Sequence, residues 1–439
     1  MLRDDGAGFG TANIFPESGA IACGLANHVE VGDSATAMAF GVSNEVYTRF
    51  SSASGWNNLL SGYIQYYGLD IRGQENTASG NRNQVYGGYD SAFGVQNRII
   101  GLNSSASGFF NVLQAANEST AVGSRNRVIG VVEDGAVNGN EAAIAQASAF
   151  GYANLVSANG ATVVGNSNEA TGSRSNAFGY HNVASTGDAA AFGNTNIASG
   201  TEASAFGQHN EANGRQSSTF GYNNTALGSY DVAFGTGNST TSDNYVGFNG
   251  NNVAVGIDNV VNGGSILDFG SRPSSAAFGV ANSATATNSI AMGVQNIASQ
   301  VGSIAMGYRS TASGTYSVAI GTAYDRDRDG VMGAGDSYGA SAIATNATAI
   351  GAGAYAGAAD STAIGAGAVA DREGVVSIGN ADVQRQLANL DAGTEDTDAV
   401  NLSQLYPLAT ALGGGASYLG GIFTAPTYLI QSNNFNNVG

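Results

Sequence analysis

The stretch DRDRDGVMGAGD, residues 325–336, is where the side chains of this 439-residue chain could do chemistry. Asp325, Asp327 and Asp329 alternate ahead of Gly330, and Asp336 stands at the twelfth position of the run. That is the oxygen-ligand spacing of a calcium loop, with Asp in place of the usual Glu and the Val331 carbonyl as a further donor. Alternating carboxylates can converge on one hard cation because the residues between them point away and the glycine permits the sharp turn. Calcium held by Asp325, Asp327, Asp329, Val331 and Asp336 is one expectation. A solvated acidic surface loop, its charge reduced by Arg326 and Arg328, is the other, since no helices flank the run as they would in a helix–loop–helix site.

Other chemistry has little to stand on. The single cysteine, Cys23, excludes an intrachain disulfide and any multi-thiolate metal site. No nucleophile elbow of the GxSxG type occurs, and no spaced base accompanies a serine. The chain is expected not to be an enzyme and to carry no cofactor other than calcium. A formal net charge of -18, with all 15 basic residues Arg, repels phosphate backbones and argues against a nucleic-acid partner. No apolar run is long enough for a membrane span.

Sixty-five Gly, 4 Pro and only 11% charged residues, beside 43% hydrophobic ones, fit neither collagen nor disorder. Repetition explains the bias. Gly151, Gly165, Gly179, Gly193, Gly207, Gly221 and Gly235 each close a small apolar triplet, fourteen residues apart. The period resumes at Gly279, Gly293, Gly307 and Gly321, and again at Gly351, Gly365 and Gly379. Toward the N-terminus Gly10 and Gly24, Gly41 and Gly55, and Gly80, Gly94 and Gly108 are in step. Three residues after most markers stands an Asn, from Asn13 to Asn296, and it is read here as the corner of a coil because Asn tolerates left-handed backbone angles. Turn-forming residues at this density exclude helices of useful length, so the expected fold is all-β: a parallel coil of short strands.

The triplets SVAIG (317–321), SIAMG (289–293, 303–307) and SAAFG (275–279) are apolar on both faces of a strand. One face fills the coil and the other requires a cover, for which further copies of the chain are the natural supply. The column Phe40, Phe93, Phe150, Phe178, Phe192, Phe206, Phe220, Phe234 and Phe278, continued by Met292, Met306, Ile320, Ile350 and Ile364, is assigned to the core, with Cys23 as a small buried hydrophobe in the same column. His181 and His209, at equivalent corners two coils or about 9.6 Å apart, are too distant to share a metal.

After Gly379 the pattern changes to VQRQLANLDAGTEDTDAVNLSQL, residues 383–405. Together with the SVAIG and SAFG coils, this segment resembles the head and neck of the trimeric autotransporter adhesins of Gram-negative bacteria. The resemblance implies a left-handed parallel β-roll of 14-residue coils over 1–380, three chains packed about one axis, a neck over 381–405 and the start of a connector or stalk module over 406–439. It implies neck roles for Arg385, Gln386, Asn389, Gly393, Thr394, Asp398, Ala399, Val400, Asn401 and Gln404. It also implies a cell-surface, outer-membrane-anchored location, with the anchor outside this chain. Read from the residues alone, Thr397 or Asp398 caps a helix beginning at AVNLSQL, and Pro407 interrupts a direct run into a long coiled coil.

Recognition is expected on stretches that break the period, near 56–73, 131–141, 241–252 and 323–338, with Trp56, Tyr63, Tyr66, Tyr67 and Tyr245 as candidate ligand-binding residues. The expected function is adhesion to extracellular matrix protein, host cells or abiotic surfaces by a homotrimer. The alternative is a viral or phage trimeric fibre, against which the neck segment argues.

Overall fold

The computed structural model describes residues 7–11, 13–14, 19–30, 36–61, 63–66, 69–72, 74–130, 144–241, 251–263, 274–327, 329–333, 336–337 and 339–436. The chain divides into two compact units, Met1–Asn380 and Ala381–Gly439.

Each period of the first unit is one coil with two strands. A longer strand ends around the marker glycine, such as Ser204–Gln208, and a two-residue strand follows, such as Glu211–Ala212. Equivalent strands of successive coils pair parallel and in register, so that Gly193, Gly207 and Gly221 lie in one line. Among the described residues this builds a 23-stranded first sheet and a 22-stranded second sheet, a parallel solenoid. The marker glycines are obligatory: Gly207 has φ +118°, and a Cβ on it would meet the Gly221 carbonyl oxygen at 2.1 Å.

The coil interior takes mostly Ala from the first sheet, and from the second sheet Ala or, chiefly in the N-terminal coils, larger side chains such as Leu60, Ile99 and Leu113. Ala177, Ala191 and Ala205 of the first sheet and Ala184, Ala198 and Ala212 of the second are fully buried. The conserved-register Asn points into this interior as well, which corrects its expected place at the corner. Asn196 donates its backbone N–H to Asn182 Oδ1 at 3.0 Å, and its Nδ2 lies 3.0 Å from the same oxygen, 2.8 Å from the Phe192 carbonyl and 2.7 Å from that of Gly207. The same pattern joins Asn13 to Asn296 in one unbroken ladder, which Ser310 then continues. The left-handed residue is the one before each Asn, as at His181 (φ 53°), His209 (φ 56°) and Asn223 (φ 54°). Backbone groups freed by the turn are thereby satisfied inside, and the side chain of the strained residue is free to vary outside.

The Phe column is the second correction. Phe220 is 53% exposed and Phe234 50%, on the outer face of the first sheet, with rings stacked from Phe178 to Phe234 at centroid spacings of 4.7, 4.8, 6.1 and 5.2 Å. An interior already filled by Ala and Asn has no room for a phenyl ring. Cys23, paired between Phe9 and Phe40, is correspondingly half-buried, not core.

Departures from the period leave the stack at its edges and do not disturb the ladder. Asn58 bonds to Asn83 and Asn126 to Asn154 across the intervening residues. Ala115 (φ 50°) adds one residue to its coil, and for that reason Gly123, unlike its neighbours, falls off the fourteen-residue count.

A third interior column contains two buried acids. Asp90 donates its N–H to Asn76 Oδ1 at 3.0 Å, and its Oδ1 accepts from the Ser104 N–H at 2.8 Å. Its Oδ2 has no partner, and it crowds the space beside Gly87 together with the Gly101 carbonyl oxygen. Burial pushes this carboxyl up to about 8, against the lowering effect of the Ser104 bond. Asp231 rises only to about 6, because both its oxygens accept backbone N–H bonds, from Asn252 and Gly228, at 3.0 Å each. A neutral Asp90 can donate to Gly101 as Asn76 Nδ2 donates to the Gly87 carbonyl at 2.8 Å.

Because the folded-state value lies above the unfolded one near 3.8, Asp90's contribution is fully present below about pH 4 and is lost as the pH rises through about 8. Asp90→Asn should therefore slow amide hydrogen exchange in the coils between Thr77 and Asn117 at pH 8, by roughly 1–3 kcal/mol of local stability, and leave it unchanged at pH 4.

Candidate functional site: the outer apolar face and the acidic insertion

The outer face of the first sheet is an uninterrupted apolar stripe in its middle and C-terminal coils. Phe220 and Phe234 pass to Phe278, Met292 (39% exposed), Ile320, Ile350 and Ile364, flanked by Val232, Ile290, Ile304 and Val318 two residues earlier. A contiguous apolar surface of this length marks an interaction site.

The acidic insertion leaves the stack after Gly321 and returns at Ala340, between strands that remain paired from Val318–Ile320 to Thr348–Ile350. Its base is closed by Tyr324 and Ser337, which exchange backbone bonds of 2.7 and 3.1 Å. The Tyr324 side chain covers Gly353 and Gly367: a Cβ on Gly353 would stand 2.7 Å from Tyr324 Cβ and one on Gly367 2.7 Å from the ring. Nothing in the acidic motif itself signals this anchor; the Gly-Ala-Gly runs of the two following coils are its only trace in the sequence. Within the loop, carboxylate oxygens of Asp325, Asp327 and Asp336 lie within 4.8 Å of one another. Gly330, at φ +82°, makes the turn and donates its N–H to Asp325 Oδ2 at 2.8 Å. The Arg326 and Gly333 N–H groups each donate to Asp336 at 2.7 Å. Asp329 is turned back onto the Val331 N–H at 2.7 Å, and Val331 is 65% exposed. Three of the five expected ligands thus converge, and this oxygen-only donor set fits a hard cation.

The candidate recognition residues are dispersed. Trp56 ends the strand Ser52–Trp56, half exposed, with the Arg82 guanidinium 5.9 Å from its ring centroid. Tyr63–Tyr66 and Leu69–Arg72 form an antiparallel hairpin, while the side chains of Tyr63 and Tyr66, together with Tyr67 and Tyr245, lie outside the described residues. So do residues 131–143 and 242–250.

In the second unit the polar residues of 389–404 fasten a turn. Gln404 Oε1 accepts the N–H groups of Gly393 and Asn401 at 3.0 and 3.1 Å, and its Nε2 donates to the Gly393 carbonyl at 2.9 Å. Asn401 Nδ2 donates to the Leu390 carbonyl at 2.9 Å. Asp398 Oδ2 accepts the N–H groups of Thr394 and Glu395, both at 3.0 Å, which holds its carboxyl below the usual range. Asp398 therefore closes a turn, and neither it nor Thr397 caps a helix. The short 3-10 turn Leu402–Gln404, preceded by Asn401, leads instead into the helix Leu405–Leu412. Pro407 sits in that helix's first turn, where no N–H is required of it. Asn389 takes φ 62°; Arg385 is half-buried and Val400 is 62% exposed.

The YadA head domain repeat model matches residues 198–218, 212–238, 273–296, 298–323, 342–368 and 356–380. The model for the coiled stalk of trimeric autotransporter adhesin matches residues 386–422. Among curated protein sequences none matches. The crystal structure of the collagen-binding domain of the Yersinia adhesin YadA is similar at 27% identity, over 46% of this chain and 83% of that one, with a TM-score of 0.25. No helix among the described residues is long and apolar enough to cross a membrane. With head repeats on the coils and the stalk match directly after them, in that order, the matched segments of the chain are those of YadA-like trimeric autotransporter adhesins.

Proposed function

We propose that this chain is the binding head of a homotrimeric adhesin, displayed outside the cell, in which three copies cover one another's outer apolar faces and attach through many weak contacts at once. The observation that carries this reading is the stacked Phe column of Phe178 to Phe234 on the outer face, half-buried from Phe178 to Phe206 and exposed at Phe220 and Phe234, on coils whose interiors are already full. Residues 381–405 then serve as a neck, with Arg385, Asn389, Asp398, Val400, Asn401 and Gln404 in structural roles, and 406–439 open a connector module. The exposed apolar side chains of Leu387, Val400 and Leu408 suit such a segment, since they too require cover from neighbouring copies. No catalytic role follows for any residue of the stack. A fibrous matrix protein is the favoured target, collagen first, because the similar Yersinia domain is named for binding it. Trp56 and the loops near 56–73, 131–141 and 241–252 are the surfaces offered to it.

Retention on collagen, fibronectin, laminin and bare plastic, compared between the native protein and Phe206→Asp, tests this. A carboxylate on the outer face should separate the chains without entering the coil interior, and avidity should fall at least about 100-fold on collagen. Equal retention by separated chains, or none by the native protein on any of the four, contradicts the proposal.

A second reading attaches to the insertion: calcium bound by Asp325, Asp327 and Asp336, with Asp329 and the Val331 carbonyl closing in on the ion. The 4.8 Å cluster of oxygens and the turn at Gly330 support it. Titration calorimetry with Ca2+ should give heat that Asp327→Ala abolishes; no heat from the native protein removes the site.

A further inference from the structure

The left-handed turn residues fall into two columns, one at each edge of the coil stack. The first edge, two residues past the marker glycines, carries Arg82, Arg125 and Arg309 with His181 and His209, against one acid among the described residues, Asp258. The second edge, where the chain leaves the second sheet, carries Glu75, Glu118, Asp188, Glu202 and Asp360 against Arg174. Arg174 is bound on its own edge by Asp188, at 2.7 and 2.5 Å. The turn charges of a chain with net charge -18 are therefore segregated by edge.

Their heights match as well. Glu75 precedes Arg82, Glu118 precedes Arg125 and Glu202 precedes His209 by seven residues, half a coil, so that each pair stands at one level on opposite edges. All six are exposed. A strand of five residues separates the edges by on the order of 16 Å, too far for the two members to meet within one chain. Two of the cations are held in place on their edge. Arg82 lies over Trp56, and Arg125 donates to the Tyr152 hydroxyl at 2.7 Å with its guanidinium 5.7 Å from the ring centroid.

On the reading that three copies turn their first-sheet faces to a common axis, each chain is one wall of a triangular prism. At every corner the first edge of one copy then meets the second edge of the next. We propose that Arg82, Arg125 and His209 of each copy pair there with Glu75, Glu118 and Glu202 of the adjacent copy, and that these pairs set the axial register of the assembly. The apolar stripe cannot do so alone, because it repeats with every coil and a slip of about 4.8 Å restores most of its contacts. Sparse opposite charges remove most of that degeneracy, since a one-coil slip leaves Arg82 facing Phe50 or Tyr89 and Arg125 facing Asn103 or Gln146, and only His209 meets another acid, Asp188, in one of the two directions.

The test uses the full chain with Cys23→Ser, adding Arg125→Cys, Glu118→Cys or both, cross-linked in the native state with a short bismaleimide and read on a denaturing gel beside the sedimentation mass. The double variant should give covalent trimer, and neither single variant should give any covalent oligomer. A single variant that cross-links means that like edges meet, and it overturns the proposal. So does a double variant that sediments as a trimer yet stays monomeric on the gel, and in that case the trimer reading stands. A monomeric sedimentation mass takes down both. Independently, Arg125→Glu should lower the melting midpoint of the assembly, and Glu118→Arg in the same chain should restore it. Loss without restoration counts against the pairing.

Discussion

The structure depends on the inward Asn ladder and the glycine that stands beside each of its rungs. An Asn side chain bridges one coil to the next at 2.7–3.0 Å, and the glycine lets the two backbones approach to a distance at which any Cβ would collide. Together they fix the width of the coil. The inward positions of the first sheet are filled almost throughout by Ala, with Val163 an exception, and its Phe, Met and Ile residues face outside. The apolar stripe on the outer face is thus a consequence of how the interior is hydrogen-bonded, and assembly follows from the same cause.

The ladder also accounts for where variation is tolerated. Because its bonds run from coil to coil and not along the chain, residues can be inserted at an edge while the rungs on either side stay bonded, as between Asn58 and Asn83 or Asn126 and Asn154. The acidic insertion obeys the same rule at the C-terminal end, where Ser310 accepts the Ala340 N–H across the excursion at 3.3 Å. The left-handed turn positions are the other variable element. Their backbone is held by the buried Asn that follows, so the side chain can be Arg, His, Ser, Thr, Phe or Asp without cost to the interior. Those positions are where the chain can write a charge pattern.

Much of the fold was legible in the residues because the glycine period is strict and a helix cannot carry it. The Asn was misplaced because its left-handed tendency competes with its capacity to bridge strands, and only the burial of Asn196 and its neighbours decides between the two. The Phe column reads as core from its fixed place inside an apolar triplet; placing it outside requires knowing that Ala191 and Ala205, one residue before Phe192 and Phe206, already face the interior. Gly123 was hidden by the extra residue at Ala115. In the candidate cation site the ligand spacing was visible, while the anchor of Tyr324 on Gly353 and Gly367 was not, since it joins residues from three coils. The helix start moved from Asp398 to beyond Asn401 because the Asp398 carboxylate is taken by Thr394 and Glu395.

The central claim is that one chain is incomplete: its coils are full, and its outer face needs two more copies. Sedimentation equilibrium of the unmodified protein in dilute buffer tests this most directly. The account predicts a single species at three times 43.9 kDa. A well-folded species at 43.9 kDa, with its β-sheet signal intact, would contradict it.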